Sequence, residues 1–155
     1  MAKRRRRVVR PVIGWREWLD LPDLGIHRIK VKVDTGARTS SLHAFDLERF
    51  EVGGKAWVRF LVHPLQKDSE TTVAVEAPLA GERRVRPSTG RVARRPVIVT
   101  RAVLGGECWP IEITLINRDL MGFRMLLGRQ AVRRRFLVDP GRSFLAGDPA
   151  APANP

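Results

Sequence analysis

Val31-Lys32-Val33-Asp34-Thr35-Gly36-Ala37 decides the reading of this chain, and Met125-Leu126-Leu127-Gly128-Arg129 answers it far downstream. In the first stretch valines alternate with a lysine, as a half-buried strand requires. That strand runs into an acid, a hydroxyl and a glycine. Thr35 is β-branched, so it has few rotamers, and its hydroxyl can lock a loop. Gly36 lets the backbone turn sharply and approach a neighbour, and Ala37 keeps the turn small. In the second stretch an apolar pair precedes a glycine and a segment that reads as a short helix. The order offers one carboxylate, Asp34, at a strand end, and a second segment, Leu126-Leu127-Gly128, far downstream.

Working outward, the chain reads as mostly β. Strands are expected over 12–19, 26–33, 55–62, 71–77, 96–103 and 108–116, with turns at Leu21-Pro22-Asp23-Leu24-Gly25, Gly53-Gly54 and Gly105-Gly106. One helix is expected over Arg129 to Arg135. A closing strand, Phe136-Leu137-Val138, should end at Asp139-Pro140-Gly141-Arg142. Short strands with Gly/Pro punctuation and one late helix predict a mainly β fold, a small closed or semi-closed β-barrel with one short C-terminal helix. Residues 1–10 read as a disordered basic arm, 11–145 as one domain, and 146–155 as a disordered Pro/Ala-rich tail.

The chain has 155 residues and is 43% hydrophobic, enough for one domain with a real core. Its net charge is +13. Six basic residues and no acid fall in 1–10, which leaves +7 on the remainder, so the domain body is basic in its own right. Such a field attracts acidic peptides, nucleic acid or anionic membrane without choosing among them. The single Cys108 cannot form an internal disulfide, which fits a reducing compartment. No apolar run reaches the roughly 18 residues that span a bilayer, and no secretory h-region follows the basic cluster. Cytoplasm is the expected location, without membrane association.

Longer stretches carry a resemblance. They are Val33 to Ala44, Arg95-Pro96-Val97-Ile98, Trp109 to Leu115, Met121 to Arg129 and Arg135 to Pro140. They resemble a bacterial family labelled both a retropepsin-like aspartic endopeptidase and an ATP-dependent zinc protease, associated with ATP-grasp (RimK-type) ligases that attach glutamate to protein C-termini. The resemblance covers about residues 11–145. It implies a retropepsin-like barrel in which Asp34, Thr35 and Gly36 form the catalytic turn, with Ala37, Leu126, Leu127 and Gly128 supporting it. It also implies an aspartic peptidase. Hydrolysis then needs two carboxylates roughly 3 Å apart that share one proton. Asp139 and Asp148 are each followed by proline instead of a hydroxyl residue, so no second catalytic Asp is expected within the chain. A homodimer that brings two copies of Asp34 to a twofold axis is the natural solution. Viral retropepsins place an acid four residues past the catalytic Asp, where this chain has Arg38.

The zinc label finds no support. His27, His43 and His63 are widely spaced, with no H-E-x-x-H helix, and no G-x-x-x-x-G-K-[ST] loop is present to hold ATP. Neither metal nor cofactor is expected. His43 reads as a packed residue and Cys108 as a small buried one. Ser40 and Ser41 lack a nucleophile elbow and read as hydrogen-bonding residues around the Asp34 loop. From Glu82 to Arg101 the chain carries seven arginines around Pro87-Ser88-Thr89-Gly90, which reads as a hairpin tip and candidate flap. Arg84, Arg86, Ser88 and Arg95 are therefore candidate substrate-binding residues. Arginine's preference for carboxylates, with the family's link to glutamate ligases, points to an acidic or glutamylated protein tail. Two alternatives stand beside the aspartic peptidase. The first is a non-enzymatic basic β-domain that contacts RNA or ribosomes, the basic arm included. The second is a zinc peptidase. Trp15, Trp18, Trp57 and Trp109 lie in strand-like apolar surroundings and read as core.

Overall fold

The computed structural model describes residues 9–65, 71–85, 90–118, 120 and 122–148. The strands are β1 (Val12–Leu21), β2 (Ile26–Asp34), β3 (Ser40–His43), β4 (Phe45–Val52), β5 (Lys55–Val62), β6 (Val73–Pro78), β7 (Gly81–Val85), β8 (Ala93–Leu104), β9 (Glu107–Ile116), β10 (Met125–Gly128) and β11 (Leu137–Ser143). A 3-10 turn, Pro22–Leu24, joins β1 to β2 and closes on Gly25 in the left-handed region. One short helix, α1, covers Arg129–Val132. No helix among the described residues is long and apolar enough to cross a membrane.

Eight strands form one sheet in the order β11-β1-β2-β10-β3-β9-β8-β7, and β1 also pairs with β8. That last pairing closes six of them into a barrel. A second sheet, β4-β5-β6, packs its Val58, Phe60, Val62, Val75 and Ala77 into the same core as the barrel's Ile29, Val31, Leu42, Ile98, Ile113 and Leu127. The expected barrel is therefore present and closed.

Several local expectations need correction. The helix stops at Val132, three residues short of Arg135, because Arg133 is extended and Arg134 takes a left-handed φ of 69°. The strand after it does not end at Asp139-Pro140-Gly141. It continues to Ser143 as the edge strand β11, and an edge tolerates proline because its missing N–H breaks no ladder. The tail expected from 146 is held at least as far as Asp148. Ala146 N donates to Glu17 and Asp148 pairs with Arg28 at 2.9 Å. Cys108 is exposed, because it faces outward next to the inward Trp109 on β9. Of the four tryptophans only Trp109 is core; Trp15, Trp18 and Trp57 are half-buried. Residues 1–8, most of the expected basic arm, lie outside the described residues, as do Arg86 and Ser88.

Candidate active site

The site begins where two parallel strands end together. β2 and β10 run side by side with Leu127 beside Val33 and Gly128 beside Asp34. β3 lies on the other side of β10, antiparallel to it, with Leu42 beside Met125. The short segment Thr35–Thr39 therefore has to hop from β2 over the end of β10 to reach β3. That crossing puts backbone against backbone. A Cβ added at Gly128 would collide with the Thr39 carbonyl carbon and oxygen and lie 2.9 Å from the Ser40 nitrogen. Glycine is required at 128 by close approach.

The crossing is tied down from beneath. Arg129 N donates to Ala37 O at 2.7 Å, Gln130 N to Arg38 O at 3.1 Å, and Gly128 N to Ser40 Oγ at 3.0 Å. Arg129 Nη1 reaches Thr35 O at 3.2 Å. In this chain Arg38 is exposed and makes no ion pair among the described residues, so Arg129 holds the turn through a carbonyl.

Asp34 itself is half-buried. Its Oδ1 accepts from Gly36 N at 3.1 Å and Ala37 N at 3.2 Å. A side chain on Gly36 would begin 3.3 Å from that oxygen and crowd it. The other carboxylate oxygen accepts nothing from the described residues. Thr35 and Gly36 at the tip of the turn are exposed, and the Thr35 hydroxyl makes no hydrogen bond among the described residues. Ser40, buried to 2% exposure, hydrogen-bonds beside the loop through Gly128, and Leu127 is fully buried under it.

Strand alternation shows what shares a face with Asp34. On β2, Ile29, Val31 and Val33 are buried, while Lys30, Lys32 and Asp34 alternate onto the opposite, half-exposed side. Neighbouring strands extend that face as one lateral row: Lys32 beside Leu126, Leu126 beside Ser41, Ser41 beside Thr114, Thr114 beside Val97, Val97 beside Gly81. Asp34 lies two residues to one side of this row, about 7 Å along its strand. Arg95 and Arg83, paired across β8 and β7, lie two residues to the other side. Lys32 was missed from sequence although stepping back by two from Asp34 finds it.

The arginine-rich segment is a hairpin, β7 with β8, as its spacing predicts. Arg84 stands opposite Arg94, on the face away from Arg83 and Arg95. Burial first, and then the charge of Arg118, lowers the pKa of Arg95 below the ordinary arginine value. The remaining candidates lie elsewhere. His43 Nδ1 is 3.3 Å from Arg124 Nη1, and His63 contacts Thr71 and Thr72. Asp139 accepts from Gly141 N within its own turn. Among the described residues no three His, Cys, Asp or Glu side chains converge as a metal site would require.

Comparisons with known proteins agree on the lineage. A family model described as the retropepsin-like aspartic endopeptidase RimB matches residues 12–149. A protein of Parasynechococcus marenigrum named a probable alpha-L-glutamate ligase is 50% identical over 137 residues, which is 88% of this chain and 29% of that protein. One of Shewanella halifaxensis with the same name is 44% identical over 136 residues, 88% of this chain and 30% of its own length. This chain thus spans under a third of these relatives. A crystal structure of a Legionella pneumophila protein of unknown function superposes with a TM-score of 0.73 at 28% identity, covering 88% of this chain and 98% of that one.

Proposed function

The chain belongs to the RimB-like family of retropepsin-like aspartic endopeptidases, and from that premise we propose that it cleaves peptide bonds as a twofold dimer with Asp34 from each copy at the axis. The observation that carries the reading is the state of the Asp34 turn. One carboxylate oxygen is held by two backbone N–H groups, the other accepts nothing from the described residues, and the turn's tip is exposed. A single carboxylate so presented is half of a dyad. The free Thr35 hydroxyl at the same tip suits a bond across the axis.

In the dimer the two carboxylates share one proton, since like charges that close resist double ionisation. The ionised carboxylate takes a proton from water as the water oxygen adds to the scissile carbonyl carbon. The protonated one hydrogen-bonds the carbonyl oxygen. Collapse of the tetrahedral species breaks the C–N bond, and a carboxyl returns its proton to the leaving nitrogen. The turn is rigidly backed by Gly128, Arg129 and Gln130, so the carboxylates need little reorganisation to meet.

The preferred substrate is an acidic or glutamylated protein tail. Support comes from the +13 charge, from Lys32 on Asp34's face, and from relatives named as glutamate ligases, proteins whose products would carry added glutamates. The ligase activity itself is not assigned to this chain, which matches only a part of those proteins.

The test is turnover of acidic and glutamylated peptides by wild type and Asp34→Asn, with and without chelator and at two salt concentrations. Asp34→Asn should lose about 10²–10⁴-fold or more of the rate, chelator should have no effect, and added salt should slow cleavage. Full activity in Asp34→Asn would refute the aspartic mechanism. Chelator sensitivity would point to zinc, and tight binding without turnover by either protein to a basic binding domain.

A further inference from the structure

Arg83 and Arg95 are directly opposed on β7 and β8. Opposed side chains share a face with Cβ atoms about 5 Å apart, and like charges placed so repel. Arg95 is half-buried, and the loop that leaves β9 brings the charge of Arg118 to bear on it. Neither Arg95 nor Arg118 forms an ion pair with any described carboxylate. Arg83 reaches Glu112 only at 3.6 Å, and its Nε is buried with no acceptor. The Thr114 hydroxyl, on the same face one strand beyond β8, is also buried and unpaired. Arg83 and Arg95 are half-buried while Arg118 is exposed, and the exposed Glu112 is the one described carboxylate that pairs with any of the three. Cations crowded together with so little counter-charge are costly. An oxyanion bound among them would relieve both the repulsion and the unmet donors.

We propose that Arg83, Arg95 and Arg118 form an oxyanion-binding exosite on the outer wall of the barrel, the side of the sheet onto which Asp34 also alternates, and that it holds side-chain carboxylates of the substrate away from the bond being cut. The proposal rests on the peptidase reading above and adds to it where the acid is read. The guanidinium fork matches a carboxylate in two parallel bonds, and three forks suit a run of acids better than a single one. A nucleic-acid strand is the less apt occupant. None of these three guanidinium groups lies over an aromatic ring, so the stacking platform that single strands use is missing there.

The hairpin supplies its own control. Arg94 adjoins Arg95 in sequence and carries the same charge, but it is exposed on the opposite face. Two peptides with one common scissile segment are compared, one followed by a run of glutamates and one by glutamines. Wild type should prefer the glutamate peptide. Arg95→Gln/Arg118→Gln should reduce that preference about tenfold, through KM, while Arg94→Gln keeps it. Preference that survives in the double variant overturns the proposal. So does an equal loss in Arg94→Gln, which would make the effect one of bulk charge. Fluorescence anisotropy with Asp34→Asn protein reads binding without cleavage, using the glutamate peptide and an RNA oligomer of equal charge. Loss of peptide binding on adding the two Arg→Gln changes supports the exosite, and loss of RNA binding alone overturns it. If wild type cuts neither peptide, the peptidase reading fails, and anisotropy still decides the exosite.

Discussion

Two carboxylates in this molecule stand beside a glycine that no other residue could replace, and they are used in opposite ways. Glu17 on β1 is fully buried and accepts three backbone N–H bonds, from Gly14 at 2.6 Å, Leu145 at 2.9 Å and Ala146 at 3.1 Å. Its glycine, Gly14, lies against the Arg142 backbone, where an added Cβ would strike the carbonyl oxygen. Asp34 is half-exposed, with one oxygen bonded and the other accepting nothing from the described residues, and its glycine, Gly128, lies against Thr39. In both places a missing side chain lets two backbones touch close to a carboxylate: Gly14 itself donates to Glu17, and Gly128 is in register with Asp34. At Glu17 the chain satisfies the charge completely, and the result is structural: a clasp that fastens the last segment to the first strand. At Asp34 the chain leaves the charge half-satisfied at an exposed turn. A carboxylate held firmly, with one oxygen unmet among the described residues, suits the role proposed for it at a dimer axis.

That contrast can be broken experimentally. The largest effect is expected at Gly128→Ala, where the new methyl meets immobile backbone. A loss of about 3 kcal/mol or more should appear as a lower urea midpoint with an unchanged m-value, and peptidase activity should fall with it. A fully stable Gly128→Ala would mean that the crossing is softer than its contacts suggest. Glu17→Gln should cost about 2 kcal/mol, because an amide cannot accept all three N–H bonds and brings a donor into their midst. The same unfolding measurement checks it, and near-neutrality would undo the description of a clasp. Asp34→Asn should change stability least, by no more than about 0.5 kcal/mol. A large loss there would place Asp34 with Glu17, as a structural residue.

Much of this site was legible because its signals are local. The β2 alternation, the Asp34 turn and the Leu127–Gly128 segment each announce themselves within a few residues. β4 hid because its apolar positions change phase: Phe45 and Leu47 are two apart, then Phe50 and Val52 resume out of step. The register shift between Phe45 and Glu48 is the physical cause. Strand β3, four residues long, was too short to carry a pattern. The end of α1 was illegible because arginine favours helices, so nothing in Arg133-Arg134-Arg135 signals the left-handed Arg134 that stops it. Glu17 looked like any polar position on a strand, since its three donors come partly from residues 145 and 146. Arg118 had no local signal either. Its proximity to Arg95 exists only once β8 and β9 have paired.

The Glu17 clasp also sets where this domain can be trimmed. A version ending at Phe144 would lose two of the three donors to a carboxylate enclosed in the interior, and with them the aspartate that faces Arg28. The stranded acid would have to take up a proton or pull water inward, and a fragment that looks only four residues too short would melt from its first strand. Residues 145–148, easily discarded as a ragged end when drawing expression boundaries, carry contacts to Glu17 and Arg28 that such a boundary would remove.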